Sequence, residues 1–447
     1  MSNLQASSGE PNALSVRRLL SLGLQHVMIM YAGTVTVPLI IASVMNLNSQ
    51  QTIVLVNASL LTSGLATLLQ SVGIGRFGAR LPLIQGCSFV VLAPMALIGQ
   101  QYGLPMVFGS AIAAGLFTVG FASLFSKLVR FFPPLVIGCV ITIIGISLIP
   151  AAAIWLGGGN PGAPDFAAPK YLLVGGVTLI LTLCLYCKGR GLLRNLSTLL
   201  GMLAGTVVAI PLGMTHFAAV SEASWLGIST PFSFGMPQFS LTPVLVACLS
   251  MVIVMTETTG NVLLIDRLMQ QKTTPTRLAD TLRADGLSTI VGGCLNSFPY
   301  NAFSQNAGLL MLTRVYNKKG LTIAGIILIV LGVFPKIGAV VATIPRPVLG
   351  GVGILMFGMT LVAGIQELCR AGCEKEKNAL IIATSVSVGT LPVAFPGLFN
   401  GLPASLKLLL DSGIFIGGFT AVLLNAVING SGKQDENGIE KTGSSSV

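Results

Sequence analysis

The chain has 447 residues, enough by length alone for two or three soluble domains. Apolar residues make up 53% and charged residues 9%, and mean hydropathy is +0.86; a soluble body of this size cannot cover its surface with so few charges. The formal charge of +11 comes as short clusters between apolar runs, which excludes the single basic patch of a nucleic-acid binder and suits a membrane protein oriented by cytoplasmic Lys and Arg.

In chain order, residues 1–16 are polar and unlike the apolar stretch of a signal peptide. Together with 431–447 they read as disordered, cytoplasmic tails rich in Ser, Gly and charge. Between them, apolar runs give spans near 19–40, 52–72, 82–98, 105–125, 133–155, 171–187 and 196–214. A second set follows near 241–265, 286–297, 302–313, 320–341, 346–366, 377–395 and 412–430. Long continuous runs, rather than ten-residue alternation, set aside a transmembrane β-barrel. At roughly 20 residues per span, fourteen spans take about 280 residues and leave about 167 for ends and connections. Two segments, 286–297 and 302–313, are too short to cross as regular helices.

Placing alternate connections on opposite sides puts 21 of the 25 Lys and Arg on the side of both termini. Only Lys170, Lys336, Arg346 and Lys407 fall opposite. One miscounted span would invert every later loop and scramble that ratio, so both ends are expected in the cytoplasm. Fourteen divides into seven plus seven, and an odd number per half makes the halves insert with opposite topology. The expected fold is therefore an all-α polytopic membrane protein, 14 transmembrane segments built as a 7+7 inverted repeat. The third span carries Gln85-Gly86-Cys87-Ser88-Phe89 ahead of Pro94. The tenth, seven spans on, carries Phe298-Pro299-Tyr300 and Ser304-Gln305-Asn306-Ala307-Gly308. Paired interrupted segments at matching positions point to a substrate site near the membrane midplane, since irregular backbone at that depth must line a cavity or be buried in protein.

Few ionisable side chains fall inside the spans. Glu257 sits mid-span in Met251-Val-Ile-Val-Met-Thr-Glu-Thr-Thr-Gly260, where an acid costs on the order of 2.5–3.5 kcal/mol on insertion scales. It must face a polar cavity, be paired or be protonated, so it is a candidate ligand or proton site; an interhelical hydrogen bond is the plainer reading. His26, beside Gln25 in the first span, lies at a similar depth in the other repeat and serves either packing or proton and substrate handling. Asp285 in Arg283-Ala-Asp-Gly-Leu opens the ninth segment, as a helix cap or as a bridge to the polar centre. Asp266, Arg267 and Asp280 read as solvated loop charges. Gln305 and Asn306 offer donors and acceptors that match a heterocycle edge better than a bare cation. The eight cysteines show neither a secreted-domain spacing nor a zinc-ligand array, and Cys184-x-x-Cys187 stands alone at a helix end. The residues alone specify a coupled transporter of a small polar solute.

The stretch Gln305-Asn306-x-Gly308-x-x-x-x-Thr313-Arg314 resembles the signature of the nucleobase–ascorbate transporter family. Gln25-His26, Ser88-Phe89, Glu257, Arg283-x-Asp285-Gly286, Asn296-Ser297-Phe298-Pro299 and Ile344-Pro345-x-Pro347-Val348-Leu349-Gly350-Gly351 are similar in the same order. The likeness spans roughly 17–430, and within the family the chain most resembles the bacterial xanthine and uric acid permeases. The resemblance implies a core domain of spans 1–4 and 8–11 (17–130 and 236–342) and a gate domain of spans 5–7 and 12–14 (131–235 and 343–430). It implies short antiparallel strands in segments 3 and 10, proton symport without any other cofactor or metal, and a homodimer through the gate domain in the bacterial inner membrane.

By position, the resemblance gives Glu257 the ring N–H groups and Gln305 the purine edge. Phe89 and Ser88 would position the ring, with Asn306 and Ser304 shaping the site. His26, Asp285 and Gln25 would form the polar network, and Thr313 and Arg314 the selectivity and exit region. Gln305 at the first signature place favours xanthine or urate over uracil. Ser88 departs from the expected pattern and leaves xanthine against urate open, and Thr258-Thr259-Gly260-Asn261, more polar than expected, leaves the breadth of substrates open. The alternatives are a uracil or broader nucleobase permease, an uncoupled anion exchanger or channel on the same plan, and a membrane-embedded enzyme. The last lacks the nucleophile, base or clustered acids it would need.

Overall fold

The structure, a computed structural model, describes residues 15–128, 133–215, 217–303, 306, 309–310 and 315–429. The polar tails, Ser304, Gln305, Thr313 and Arg314 lie outside the described residues. The elements are α1 (Val16–Val44), α2 (Ser49–Val72), β1 (Gln85–Cys87), α3 (Leu92–Tyr102), α4 (Leu104–Leu128), α5 (Pro134–Leu156), α6 (Pro169–Lys188), α7 (Leu192–Asn195), α8 (Ser197–Ala209) and α9 (Ala218–Glu222). There follow α10 (Leu241–Leu268), α11 (Pro275–Cys294), β2 (Tyr300–Ala302), α12 (Lys318–Gly332), α13 (Pro335–Ala342), α14 (Arg346–Arg370), α15 (Glu376–Ala394), α16 (Ala404–Asp411) and α17 (Gly413–Ile428).

Local chemistry sets the helix starts. Asn48 and Gln51 form a reciprocal capping box at α2. Thr274 caps α11, with Pro275 at the first helical position. Among the described residues, eight helices are long and apolar enough to cross a membrane, nine if α12 and α13, bent by 80°, count as one. This falls short of the fourteen expected spans for a physical reason. The segments at β1–α3 and β2 are broken, α8 and α17 are short, and α11 carries Arg277, Asp280, Arg283 and Asp285.

Helix α11 corrects two sequence expectations. The ninth segment is no stub at 286–297 but a 20-residue helix, Pro275–Cys294. Asp285 lies in its middle and caps nothing. Asp266 is also not a solvated loop charge: it is 1% exposed, paired with Arg277 at 3.0 Å and accepting from Thr273 at 2.7 Å. Its environment pins the turn between α10 and α11.

Helices meet through small residues, as expected where lipid removes the hydrophobic drive for association. Where α4 crosses α11, a methyl on Gly115 would stand 2.7 Å from the Gly286 carbonyl oxygen, and one on Gly286 2.8 Å from that of Gly115. Gly64 of α2 and Gly325 of α12 face each other in the same reciprocal way, at 2.6 and 3.0 Å. Helix α5 packs along α14, and α15 along α17.

Strands β1 and β2 pair antiparallel, Gln85 opposite Ala302, Gly86 opposite Asn301 and Cys87 opposite Tyr300, as the family resemblance implied. A two-stranded ribbon inside a bilayer must have its outer edges satisfied, and neighbouring helices do this with side chains. Thr67 of α2 accepts from Gln85 N (3.0 Å) and Thr289 of α11 from Tyr300 N (3.1 Å). Asn261 of α10 donates to the Ala302 carbonyl (2.8 Å).

Candidate functional site

The ribbon has two faces, because successive side chains of a strand alternate. Gln85, Cys87, Tyr300 and Ala302 share one. On it the Tyr300 hydroxyl donates to the Ser59 carbonyl (3.0 Å) and shares a 2.7 Å contact with the Ser297 hydroxyl. Gln85 Nε2 donates to Asp285 Oδ1 (2.9 Å), and the Thr258 hydroxyl donates to Asp285 Oδ2 (2.6 Å). Both carboxylate oxygens of Asp285 are thus occupied, and its side chain is fully buried. This is the anchoring face, tying the ribbon to α2, α10 and α11.

Asn301 and Phe303 share the opposite face. Asn301 Nδ2 donates to Glu257 Oε2 at 2.6 Å. Glu257 is half-buried, and its second oxygen carries no bond among the described residues. Gly86, across from Asn301, makes room for the Phe303 ring, which a methyl there would approach to 2.3 Å. Phe303 meets Phe89 with centroids 6.2 Å apart at 53°, and Phe89 meets Phe357 of α14 at 6.4 Å and 74°. A carboxylate, a carboxamide and a tilted aromatic wall therefore gather on one side of the ribbon. Such a set can grip a flat ring that carries N–H groups.

The remaining expected residues take different places. Asn306 Nδ2 lies 3.0 Å from His26 Nδ1 and donates to the His26 carbonyl at 3.1 Å, so these two hold each other rather than Glu257. Ser88, fully buried, donates its N–H to the Pro299 carbonyl (2.9 Å) and accepts from Val90 N (3.3 Å), shaping the turn into α3. Gln25 donates to Ser21 on its own helix (3.2 Å), and no described bond brings it to the ribbon. Sequence reading passed over Asn301 and Phe303, and named Gln85, Gly86 and Thr258 only as parts of motifs, without a partner for any of them. Reading Pro299-Tyr-Asn-Ala-Phe303 as a strand would have put Asn301 and Phe303 on one face.

A cavity of about 370 Å³ lies elsewhere, lined by Phe121, Val140, Ile253, Thr256, Ile414 and Phe419 among others. Among the described residues no ionisable side chain lines it, so it offers little to hold a polar solute.

Broken segments crossing between apolar helices, with an acid at the crossing, define a polytopic membrane protein of the transporter type. The transmembrane domain of a cyanobacterium bicarbonate transporter, BicA, superposes with TM-score 0.57 at 15% identity, over 91% of this chain and 97% of that one. Murine Slc26a9, an anion transporter in the inward-facing state, gives 0.67 at 11%, over 94% and 69%. These likenesses concern the fold alone. Residues 17–398 match the family model described as "Permease family". The xanthine permease of Bacillus subtilis is 40% identical over 412 residues, covering 92% of this chain and 94% of that one. The uric acid permease PucK of the same organism is 42% identical over 410 residues, covering 92% and 95%. The chain belongs to this permease family, a family of transporters and not of enzymes, as its signature implied.

Proposed function

We propose that the chain imports an oxidised purine nucleobase, xanthine or uric acid, together with a proton. The observation that carries this reading is Glu257, half-buried mid-span with one oxygen held by Asn301 and the other without a partner among the described residues, beside the aromatic wall of Phe89 and Phe303. An oxopurine presents alternating N–H and C=O groups that a carboxylate and carboxamides can meet. A site made of such bonds discriminates strongly, because an analogue lacking a partner leaves buried groups unpaired. The names of the two Bacillus subtilis relatives point the same way. Gln305 completes the purine edge in this reading, with Ser304 beside it and Thr313 and Arg314 towards the exit. Proton coupling follows if an acid of the cavity takes a proton from outside, the base binds, and both are released inside. Each proton then gains about 2.3 kcal/mol per 100 mV of inward-driving potential.

The same proposal takes the chain as fourteen segments in a 7+7 inverted repeat, both termini cytoplasmic, in the bacterial inner membrane. Its support is the doubling of helix contacts: α2 with α12 mirrors α4 with α11, and α1 with α12 mirrors α10 with α4. The reciprocal glycine contacts Gly64–Gly325 and Gly115–Gly286 repeat the correspondence. Residues 17–130 and 236–342 act as the core, and 131–235 and 343–430 as the gate against which it moves to alternate access. A cavity of about 220 Å³ lined by Leu92, Gln100, Ser147, Pro392 and Asp411 lies along this seam. Two chains pair through their gate domains.

The test is uptake of labelled xanthine and urate by cells expressing the chain, with and without a protonophore. Accumulation of at least one base, abolished when the proton gradient collapses, is the expected result. Undiminished accumulation after collapse removes proton coupling, and accumulation of neither base removes the substrate assignment.

A further inference from the structure

The structure assigns Asn301 a part in recognition that goes beyond steadying Glu257. We propose that its carboxamide oxygen accepts one particular ring N–H of the substrate, next to the N–H taken by Glu257, so that the two residues form a two-acceptor clamp. The inference rests on the oxopurine reading above and deepens it.

Four observations carry it. Asn301 is 3% exposed, at membrane depth, in a strand whose backbone neighbours are all bonded or buried. Its Nδ2 is committed to Glu257 Oε2 at 2.6 Å, which fixes the other end of the carboxamide as an acceptor. That acceptor, Oδ1, is buried without a hydrogen-bond partner among the described residues. A desolvated carbonyl left unpaired is costly and is retained where something else satisfies it. Finally, Gly86 stands directly across the ribbon, so no side chain from β1 covers the carboxamide on the side where Phe303 and Phe89 form their wall.

Gln85, on the anchoring face, offers the contrast: its Oε1 is likewise buried without a partner among the described residues, but its Nε2 is spent on Asp285, on the face away from Phe303 and Phe89. Flipping the Asn301 amide would give the ligand a donor instead, but would set its oxygen against the Glu257 carboxylate. The clamp therefore asks for N–H on two neighbouring ring positions. It rejects a ring that offers a bare nitrogen or an N-methyl group at the position facing Asn301.

The experiment pairs a change in the protein with a change in the ligand. Cells expressing wild type or Asn301→Ala take up whichever of labelled xanthine or urate the wild type accumulates, in competition with xanthine and each of its singly N-methylated derivatives. In the wild type, methylation at the position facing Asn301 weakens competition by about tenfold or more, the equivalent of one well-made hydrogen bond. In Asn301→Ala that single penalty shrinks to within about threefold, while the penalties at the other positions persist. A residue that merely held the fold would alter all competitors alike. Penalties that stay unchanged, or that all shrink together, overturn the inference. Asn301→Leu, which restores bulk without either polar group, gives the same selective loss if the alanine variant reaches the membrane poorly. Wild-type cells that accumulate neither base overturn the oxopurine reading itself, and the clamp with it; penalties that stay unchanged or shrink together in the variants overturn only the clamp.

Discussion

Two carboxylates lie inside this protein a short distance from one ribbon, and they are bonded in opposite ways. Asp285 on the anchoring face has a donor on each oxygen, Gln85 and Thr258, and its own carbonyl accepts from Thr289 (2.8 Å), whose hydroxyl accepts from Tyr300 N. Glu257 on the other face has one donor among the described residues, Asn301, and is only partly buried. A saturated acid binds structure together and has nothing left for a ligand. An acid with a spare oxygen next to an aromatic wall is available. Hydrogen-bond saturation, more than depth in the membrane, distinguishes the two acids.

That contrast can be broken by exchanging each acid for its amide. Glu257→Gln carries the largest expected effect: uptake of the preferred base falls by about 100-fold, from loss of a charge-assisted hydrogen bond, while immunoblots show normal protein in the membrane. Normal saturable uptake in this variant would remove Glu257 from the mechanism.

Asp285→Asn is expected to act on the fold instead. The amide turns a donor towards Gln85 or Thr258, and a buried group left unpaired costs about 1–3 kcal/mol. Purified protein then unfolds at a lower temperature, and less of it reaches the membrane. The molecules that do fold keep a KM within about threefold of wild type, because both oxygens of Asp285 are already engaged and offer nothing to a ligand. A KM shift of tenfold or more with unchanged thermal stability would contradict the division of labour.

Gln25→Ala sharpens the comparison from the quiet end. Gln25 bonds only Ser21 among the described hydrogen bonds, a surface contact on one helix, so uptake should change less than about twofold and stability less than about 0.5 kcal/mol. A large loss of uptake would place Gln25 in the substrate path in another conformation.

Much of this was legible in the residues. Glu257 stands out because an acid in the middle of an apolar run has few innocent explanations. The interruptions at Gln85-Gly86-Cys87 and Phe298-Pro299-Tyr300 were readable as breaks, and the structure pairs them. Asp285 was harder. Its neighbours Arg283 and Gly286 made it look like the start of a helix, because the polar residues of α11 broke the apolar run that marks a span. In the structure that polar stretch is the inner lining of the bundle: Arg283 meets Asp280 at 2.5 Å and the Ser123 hydroxyl of α4. Hydropathy cannot distinguish a helix wrapped in other helices from a loop, since both lack lipid-facing residues. Asn301 escaped notice for a related reason, as three residues of strand within helical surroundings are too short to show a period of two.

Sequence by itself determined the class of molecule, the sidedness expected of its loops, the interrupted segments and the family, because these depend on composition, charge placement and local motif. Tertiary structure alone decided which polar groups meet: Asp285 with Gln85, 200 positions apart, Asn301 with Glu257, 44 apart, and Asn306 with His26, 280 apart. A hydrogen bond is short and directional, so its partners are chosen by how the helices pack around the ribbon, and nothing in the local order of residues specifies that choice.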